Sequence, residues 1–288
     1  MIVMIGATGT IGSALLKRLV EKGIPVRAVS RDLEKLRKQI EDLDQALIEV
    51  ASADANNQES LRRAFTGASQ LFLAMSNSPR QIEMETSIIR IATEVGIRHI
   101  VKISSPAFNE KAPVAVAGWH HEIERALSES NIMHTVLRPY AFMQNILRFA
   151  PTIITQDAFY GSMGDVACNF IDCRDIADVA AEALTNHKVA GKVYTLTSSE
   201  VFSYPQIASK LSVLLGRTIR YINIDPQVLR RNLIEHEHMP PWLANHVVEI
   251  QAMSMILPER PTNTVKQLLG REPRRLEDFL CEYVETFR

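Results

Sequence analysis

Short apolar stretches alternate with amphipathic segments along the first half of the chain. The first stretch, an Ile-Val-Met-Ile run at residues 2–5, is followed by a segment in which Ile11, Leu15 and Leu19 recur every four residues. That spacing predicts a helix with one apolar face, and Gly23 is placed to end it. Further strands are predicted at residues 25–29, 46–50, 71–75, 99–103 and 133–137.

Helical patterns lie between these strands. Asp32 is a good N-cap for a helix that starts at Leu33, and amphipathic helices are predicted at residues 81–95 and 117–129. Strands that alternate with helices in this way indicate a parallel, doubly wound sheet. The predicted fold class is therefore α/β, with a Rossmann sheet of six strands that is complete near Pro139.

The alternation loosens beyond about residue 151. Turn signals occur at Gly161 and Gly164, and short strands are predicted at residues 166–171, 193–196 and 219–224. We predict a Rossmann domain at residues 1–155 and a smaller C-terminal α/β substrate lobe at residues 156–288, with the part near residues 172–197 able to pack back on the Rossmann sheet. The ligand crevice of such sheets lies past the carboxyl ends of the strands, so the second lobe is expected to shape the substrate pocket.

Composition and charge narrow the class of protein. Hydrophobic residues make up 46% of the 288 residues and charged residues 23%, which is typical of a soluble globular protein. The net charge of −1 leaves no basic surplus for a nucleic-acid backbone or an anionic membrane. No apolar run approaches the roughly 20 residues of a membrane span, and the chain starts on a strand without a leader pattern, so a cytoplasmic location is expected. A homodimer is compatible with the sequence.

Cysteine spacing gives no sign of metal or redox chemistry. Cys168, Cys173 and Cys281 cannot all pair, and none forms a Cys-x-x-Cys motif, so buried thiols are expected. Residues 235–238, Glu-His-Glu-His, contain metal-ligand types, but the following Met-Pro-Pro indicates a solvated helix end. No metal is predicted.

The Gly-Ala-Thr-Gly-Thr-Ile-Gly sequence at residues 6–12 joins the first strand to the first helix. Gly6 allows the tight turn, Gly9 lets the backbone approach a pyrophosphate, and Gly12 lets the helix pack against the strand. The pyrophosphate would lie at the helix N-terminus, where free N–H groups and the helix dipole favour an anion. The sequence therefore predicts a dinucleotide site.

The residues at the end of the second strand indicate which dinucleotide, NAD or NADP, is bound. In the NAD-binding form of the fold an acidic residue there accepts the ribose 2′-OH, whereas this chain has Ser30 followed by Arg31. A guanidinium offers planar, bidentate donors to a 2′-phosphate, so NADP is preferred over NAD. The alternative is that Arg31 is a solvated loop residue and Asp32 binds the ribose.

Together these motifs resemble the NmrA-like branch of the atypical short-chain dehydrogenase/reductases over essentially the whole chain. The likeness is carried by the glycine turn, Arg31, Asp54, Ser104-Ser105, the His-His-Glu-Ile-Glu of residues 120–124, the Leu-Arg-Pro-Tyr-Ala-Phe-Met-Gln-Asn of residues 137–145 and the Asp-Cys-Arg-Asp-Ile-Ala of residues 172–177. The resemblance implies an NADP-binding lobe and a small C-terminal lobe. Members include reductases of quinones, azo and triphenylmethane dyes and phenolic ethers, and also NADP-binding redox-sensing regulators.

The resemblance also implies a set of cofactor contacts. It places Gly6, Thr8, Gly9, Thr10, Ile11 and Gly12 around the pyrophosphate, Ser30 and Arg31 at the 2′-phosphate, Asp54 beside adenine, Met75, Ser76 and Asn77 on the ribose side, and Ser104, Pro139 and Tyr140 at the nicotinamide. For Asp54 a role as cap of the helix that begins near Gln58 is equally open.

The active helix departs from the wider superfamily. The Tyr-x-x-x-Lys pair of most members corresponds here to Val116 and His120, so the phenol is missing. His120 is a substitute that could donate a proton or bind a ribose hydroxyl, since imidazole titrates near neutrality. The alternative is a local hydrogen bond to Glu124, four residues along the same helix. The predicted catalytic residues are His120, Ser104 and Tyr140.

Two further groups have competing interpretations. Trp119, Phe142 and Met143 could floor an aromatic pocket or pack between the lobes. Arg174 and the carboxylates that follow it begin a helix, where a structural role is the better interpretation.

The function indicated is that of an NADPH-dependent reductase that transfers a hydride to a small conjugated acceptor of quinone, imine or azo type. Such acceptors tolerate the loss of the tyrosine because solvent can complete protonation, whereas an alcohol dehydrogenase needs a positioned base. The alternative is a non-catalytic NADP(H)-binding redox sensor of the NmrA type. A nucleotide-sugar epimerase is disfavoured because it relies on the missing tyrosine.

Overall fold

The computed structural model describes residues 1–106, 114–256 and 259–288. Its strands are β1 (Ile2–Ile5), β2 (Val26–Ser30), β3 (Ile48–Ser52), β4 (Gln70–Leu73), β5 (His99–Ile103), β6 (Met133–Pro139), β7 (Ala141–Phe142), β8 (Ala158–Gly161), β9 (Ala167–Ile171), β10 (Val193–Leu196), β11 (Val201–Ser203) and β12 (Arg220–Asn223). Seven of them form a parallel sheet in the order β10-β6-β5-β4-β1-β2-β3. The predicted α/β class with a doubly wound Rossmann sheet is confirmed.

The helices connect these strands and cover the sheet. They are α1 (Thr10–Glu21), α2 (Leu33–Ile40), α3 (Gln58–Phe65), α4 (Gln81–Glu94), α5 (Ala115–Glu129), α6 (Ala150–Gln156), α7 (Cys173–Thr185), α8 (Tyr204–Leu215), α9 (Pro226–Glu235), α10 (Pro241–Ile256), α11 (Thr264–Leu269) and α12 (Leu276–Glu282). None of the helices in the described ranges combines the length and the apolar character that a bilayer crossing requires.

The central strands of the main sheet are buried on both faces. Ile2 and Met4 of β1 belong to the apolar cluster under α1 and α7, whereas Val3 and Ile5 belong to the cluster under α3, α4 and α5. Successive side chains of a strand point to opposite faces, so a strand covered on both sides needs a continuous apolar run. This explains why residues 2–5 are apolar throughout.

The sheet has seven strands, so the six-strand prediction was one short. β10 pairs in parallel with β6, with Leu196 opposite Pro139, and α7 packs against α1 on the way. A four-residue strand carries no local signal of which sheet it joins, because that choice depends on where the preceding helix packs. The domain boundary near residue 155 stays a prediction. α7 and β10 follow that boundary in sequence but pack with the main sheet.

A separate apolar cluster lies in the C-terminal part of the chain. It combines residues of α6, α8 and α12 with the three-stranded sheet β11-β9-β7 and the two-stranded sheet β12-β8. Asp175 on α7 is fully buried and binds both Arg271, at 2.7 Å, and Arg274. These ion pairs attach the C-terminal segment to the main sheet, as the structural interpretation of this acidic helix start predicted.

Candidate cofactor and active site

The three glycines of the turn after β1 are under different constraints. Gly6 has φ +87°, and a Cβ built on it would lie 1.8 Å from the carbonyl oxygen of Ala74. A Cβ on Gly12 would lie 2.0 Å from the carbonyl oxygen of Gly6, but one on Gly9 would approach that oxygen only to 3.3 Å. The chain itself therefore requires Gly6 and Gly12, whereas the exposed Gly9 leaves space on the outer side of the turn.

The turn leads into an N-terminus suited to an anion. Gly9 is the N-cap of α1, no side chain caps the helix, and its first turn has no acidic residue. β1 lies between β4 and β2, so the turn opens at the point where the strand order reverses. In such sheets the crevice at this point binds dinucleotides, and free helix N–H groups bind phosphate. Thr8 lies in the turn, and Thr10 and Ile11 are the first two residues of α1.

The residues after β2 also fit the predicted cofactor. The carboxylate of Asp32 accepts a hydrogen bond from the backbone N–H of Lys35 at 2.9 Å and caps α2, and Ser30 Oγ accepts one from the N–H of Asp32 at 3.1 Å. Arg31 is exposed and forms no ion pair within the described ranges. Since Asp32 is committed to the helix, Arg31 is the residue that remains for a ribose phosphate.

Asp54 follows β3 and stabilises a turn. Its carboxylate accepts hydrogen bonds from the backbone N–H and the side-chain amide of Asn56, at 2.8 and 3.0 Å. The backbone N–H of Asn56 is the main cause that lowers the pKa of Asp54, and the nearby charges of Arg31 and Arg80 lower it further. The alternative role as cap of α3 is wrong, because Asn57 caps that helix by accepting from the N–H of Ser60.

The remaining predicted ribose contacts follow β4. That strand ends at Leu73, so Met75, Ser76 and Asn77 lie in the loop beyond it rather than on the strand. Ser76 is exposed, and the other two are partly buried. The loop leaves the carboxyl edge of the sheet next to β1, the same edge as the glycine turn.

Ser104 belongs to a charged network at the ends of β5 and β6. Its backbone N–H donates to the carbonyl of Leu137 at 2.7 Å, and its hydroxyl donates to Glu124 Oε1 at 2.5 Å. Arg138 Nε donates to the same oxygen at 3.0 Å, and a second guanidinium nitrogen binds Glu124 Oε2. The predicted alternative, a bond between His120 and Glu124, is not formed, because Glu124 is occupied by Ser104 and Arg138.

His120 is buried on the side of α5 that faces β5. Its Nδ1 lies 3.3 Å from Lys102 Nζ, and Lys102 in turn pairs with Glu85 at 2.6 Å. Burial lowers the pKa of His120 to about 2, and the charges of Lys102 and His246 add to the effect. The ring is therefore neutral near neutral pH. The proton-donating role predicted for it would need a charged ring, so hydrogen bonding is the role that remains.

Tyr140 lies just beyond β6, half-buried. Its backbone N–H donates to the carbonyl of Leu196 at 3.2 Å. Burial raises the pKa of its phenol, and the neighbouring charge of Glu259 raises it further. Glu259 accepts hydrogen bonds from the N–H of Asn169, at 2.5 Å, and from Ser254 Oγ, at 3.1 Å, and burial raises its own pKa.

Four charged residues around the candidate site were not singled out from the sequence, although Arg138 stands within one of the quoted motifs. They are Glu85, Lys102, Arg138 and Glu259. Each contacts a partner on another element, so no local spacing marks it. The position of Lys102 within the apolar strand β5 is the one available signal, since a charge in a strand buried on both faces needs a partner.

The other predicted candidates are distributed as follows. Met143 is fully buried in the C-terminal apolar cluster, so it lines no pocket, and Phe142 packs against the main core. Trp119 instead meets Trp242 of α10, with ring centroids 5.9 Å apart. Cys281 is exposed, which corrects the expectation of three buried thiols. The exposure of Cys281 depends on how the short helix α12 packs, which the local sequence does not indicate.

The histidine-rich segment follows α9, which stops at Glu235, somewhat before the Met-Pro-Pro that was predicted to mark its end. Within residues 1–106, 114–256 and 259–288 no three or more His, Cys, Asp or Glu side chains cluster as metal ligands would. Arg174 binds Asp172, at 2.6 Å, and Glu282, at 2.9 Å, and so ties α7 to α12.

Known proteins resemble this chain over its full length. An NAD(P)H azoreductase from Xenophilus azovorans is 30% identical over 290 residues, covering 100% of this chain and 99% of the relative. An Escherichia coli NADPH-dependent quinone oxidoreductase complexed with NADPH superposes with a TM-score of 0.85 at 24% identity, covering 99% of both chains. A Citrobacter sp. triphenylmethane reductase complexed with NADP(H) gives 0.85 at 23% identity, covering 100% of both. At these identities the two structures establish the fold.

A family-level match agrees with these relatives. Residues 1–284 match the NmrA-like family, which confirms the resemblance inferred from the motifs. With nearly the whole chain matched and a 30% identical relative of equal length, this chain belongs to the NmrA-like family.

Proposed function

We propose that this chain is an NADPH-dependent reductase that transfers a hydride to a small conjugated acceptor of quinone, imine or azo type. The observation that carries the proposal is the glycine turn, whose Gly9 is open on the outer side and whose neighbour Arg31 is exposed for a phosphate. The relatives named azoreductase and quinone oxidoreductase support the same reaction class.

The cofactor residues divide by the part of NADPH they would hold. The N–H groups at the start of α1 bind the pyrophosphate, Arg31 with Ser30 binds the 2′-phosphate, and Asp54 lies at the adenine. Met75, Ser76 and Asn77 line the ribose side, and Pro139 borders the nicotinamide. When bound, the cofactor supplies a hydride from C4 of its nicotinamide ring.

The polar residues at the nicotinamide end would orient the substrate by hydrogen bonds and would not exchange protons with it near pH 7. The hydroxyl of Ser104 donates a hydrogen bond to Glu124, so its oxygen lone pairs are free to accept another hydrogen bond. Tyr140 has a raised phenol pKa and stays neutral, and His120 is neutral as well. These three residues therefore provide no acid that titrates near pH 7, and water supplies the proton that completes the reduction. Conjugated acceptors suit such a site because the hydride alone is the demanding step.

The test is NADPH oxidation against a panel of quinones, azo dyes and imines, with Tyr140→Phe, Ser104→Ala and His120→Gln as variants. We expect turnover with at least one acceptor and a lower kcat in each variant. His121→Gln is the matched control, since His121 is exposed on the same helix and should leave kcat unchanged.

The competing function is a redox sensor, which the buried Val116 at the position of the usual tyrosine favours. Tight NADPH binding with no oxidation across the panel would overturn the reductase and support the sensor. In that case NADPH and NADP⁺ must bind with different affinities, because a ligand shifts an equilibrium only by its differential affinity.

Assembly and location stay predictions. The balanced charge supports a small-molecule substrate rather than nucleic acid or a membrane surface. We expect a cytoplasmic protein, checked by cell fractionation, and a homodimer, checked by light scattering on the purified chain.

A further inference from the structure

A network of four polar side chains crosses the apolar layer between the main sheet and its covering helices. Gln81 and Glu85 on α4, and Lys102 on β5, are fully buried, and His120 on α5 is 6% exposed. Gln81 Nε2 donates to Glu85 Oε1 at 2.7 Å, and Glu85 Oε2 lies 2.6 Å from Lys102 Nζ. That last contact is an ion pair by distance, although its angles do not fit a hydrogen bond.

Stability alone is a weak reason for this arrangement. Removing two charges from water costs several kcal/mol for each ion, and apolar residues of similar volume often serve a core equally well. The neighbours on both sides of the network are apolar, including Ile88, Ile100 and Ile123. The buried pair is therefore better explained by what it does to the fourth member, His120.

The contact with Lys102 bears on which ring nitrogen of His120 carries the proton. Its ammonium donates to the carbonyl of Ile103 at 2.7 Å and approaches His120 Nδ1 at 3.3 Å. An ammonium group has three donors and no acceptor. Nδ1 must therefore provide a lone pair, and in a neutral ring the proton then resides on Nε2.

The same strand and helix also carry the contact between Ser104 and Glu124. Residues 102 and 104 are two apart and share one face of the strand end, while residues 120 and 124 are four apart and share one face of α5. Lys102 contacts His120, and Ser104 contacts Glu124, so strand and helix are joined by two parallel contacts. The Ser104–Glu124 contact lies just beyond the end of β5, and the Lys102–His120 contact lies within the strand.

We propose that Lys102, held in place by Glu85, is a positioning residue that fixes His120 as the neutral tautomer protonated on Nε2, so that the ring presents a hydrogen-bond donor at the nicotinamide end of the site. The inference rests on the proposed reductase function for the role of that donor, but not for the tautomer itself. A neutral imidazole N–H polarises an acceptor oxygen or nitrogen without releasing its proton, and it does so over a wide pH range.

The first test is ¹⁵N NMR of the histidine rings in the whole protein, with the His120 signals assigned from His120→Gln. We expect a protonated Nε2 and an unprotonated Nδ1 that do not titrate between about pH 5.5 and 8. The test variant is the double substitution Lys102→Met with Glu85→Gln, which leaves no unpaired charge in the core. In this variant we expect a mixture of both tautomers. A wild-type ring protonated on Nδ1, or a double variant with an unchanged pure Nε2–H spectrum, would overturn the proposal.

The second test links the tautomer to the reaction. With an acceptor from the panel, the double variant should lower kcat roughly three- to tenfold while the KM for NADPH stays within about twofold, as expected when an interaction stronger in the transition state is weakened. In a His120→Gln background the same two substitutions should lower kcat no further. An additive loss in that background, or an unchanged kcat despite a shifted tautomer, would refute the positioning role.

The two tests separate the failure of this inference from that of the proposed function. If no acceptor is turned over, the reductase assignment fails, and the NMR result still decides whether Lys102 fixes the ring. If turnover is found but the tautomer is independent of Lys102, the reductase stands and the inference is refuted.

Discussion

Substituting the glycines of the first turn separates what the fold requires from what a dinucleotide requires. In Gly12→Ala the new methyl group would lie 2.0 Å from the carbonyl oxygen of Gly6. Helix α1 would have to withdraw by more than about 1 Å to reach an ordinary contact distance. Overpacking of this kind typically costs about 1–3 kcal/mol, which lowers Tm by several degrees in a protein of this size.

Gly9→Ala should behave in the opposite way. Gly9 has φ −81° and ψ 169°, which alanine adopts without strain, and the nearest backbone atom to its Cβ is 3.3 Å away. The change in folding free energy should stay below about 1 kcal/mol, the cost of a weaker N-cap. The methyl group would however occupy the space into which the pyrophosphate fits. Loss of charge-assisted N–H contacts costs roughly 1.5–3 kcal/mol, a ten- to hundredfold weaker Kd.

The assay is calorimetric titration with NADPH together with thermal unfolding in the presence and absence of NADPH. We expect Gly9→Ala to keep its Tm without ligand and to lose most of the ligand-induced shift, whereas Gly12→Ala loses Tm before any ligand is added. Wild-type NADPH affinity in Gly9→Ala would refute the placement of the pyrophosphate at this turn. A wild-type Tm in Gly12→Ala would refute the steric reasoning behind both variants.

Three further predictions test other parts of the chain. Arg31→Ala should weaken NADPH binding roughly tenfold or more and leave NADH binding unchanged, measured by titration with both, because only the 2′-phosphate needs the guanidinium; equal effects on both would remove Arg31 from the site. Burial lowers the pKa of His99 and of His246 from 6.5 to about 4, so between these pH values the unfolded chain binds more protons than the folded chain. The free energy of unfolding should therefore fall as the pH drops from 6.5 toward 4. Urea titrations at several pH values measure this fall, and His99→Gln should make it less steep. Asp175→Ala leaves Arg271 and Arg274 without their buried partner and should lower the urea midpoint, while the Kd for NADPH stays unchanged; a shifted Kd would contradict a purely structural role.

Features that depend on neighbours in sequence were predictable. The six predicted strands of the main sheet all occur, and β5 has the predicted bounds of residues 99–103. The N-cap at Asp32 and the end of α1 before Gly23 were predicted as well, because capping involves backbone groups within three or four residues. The spacing of the three glycines between strand and helix was predictable in the same way, although the backbone atom that excludes a Cβ at Gly6 belongs to Ala74, far along the chain.

Features that depend on long-range packing were not predictable. Lys102 contacts residues 17 positions before it and 18 positions after it, and Arg138 binds a carboxylate 14 positions earlier. Glu259 binds Asn169, 90 positions away. The neutral state of His120 follows the same logic, because its cause is burial between α5 and β5 together with the charge of Lys102. The sequence identified the residue, but only its packing determined its chemistry.

The electrostatics of the candidate site restrict the class of substrate. At the position of the usual tyrosine the chain has the buried Val116, and His120 is neutral with a pKa of about 2. The phenol of Tyr140 is made less acidic by burial, and the proton of Ser104 is directed to Glu124. A substrate that requires a proton in the same step as the hydride finds no donor of suitable pKa among these residues. An acceptor whose conjugation already spreads the incoming charge does not need one, because water can protonate the product afterwards. The same reasoning limits the reverse reaction, since none of these groups can remove a proton from an unactivated alcohol near pH 7.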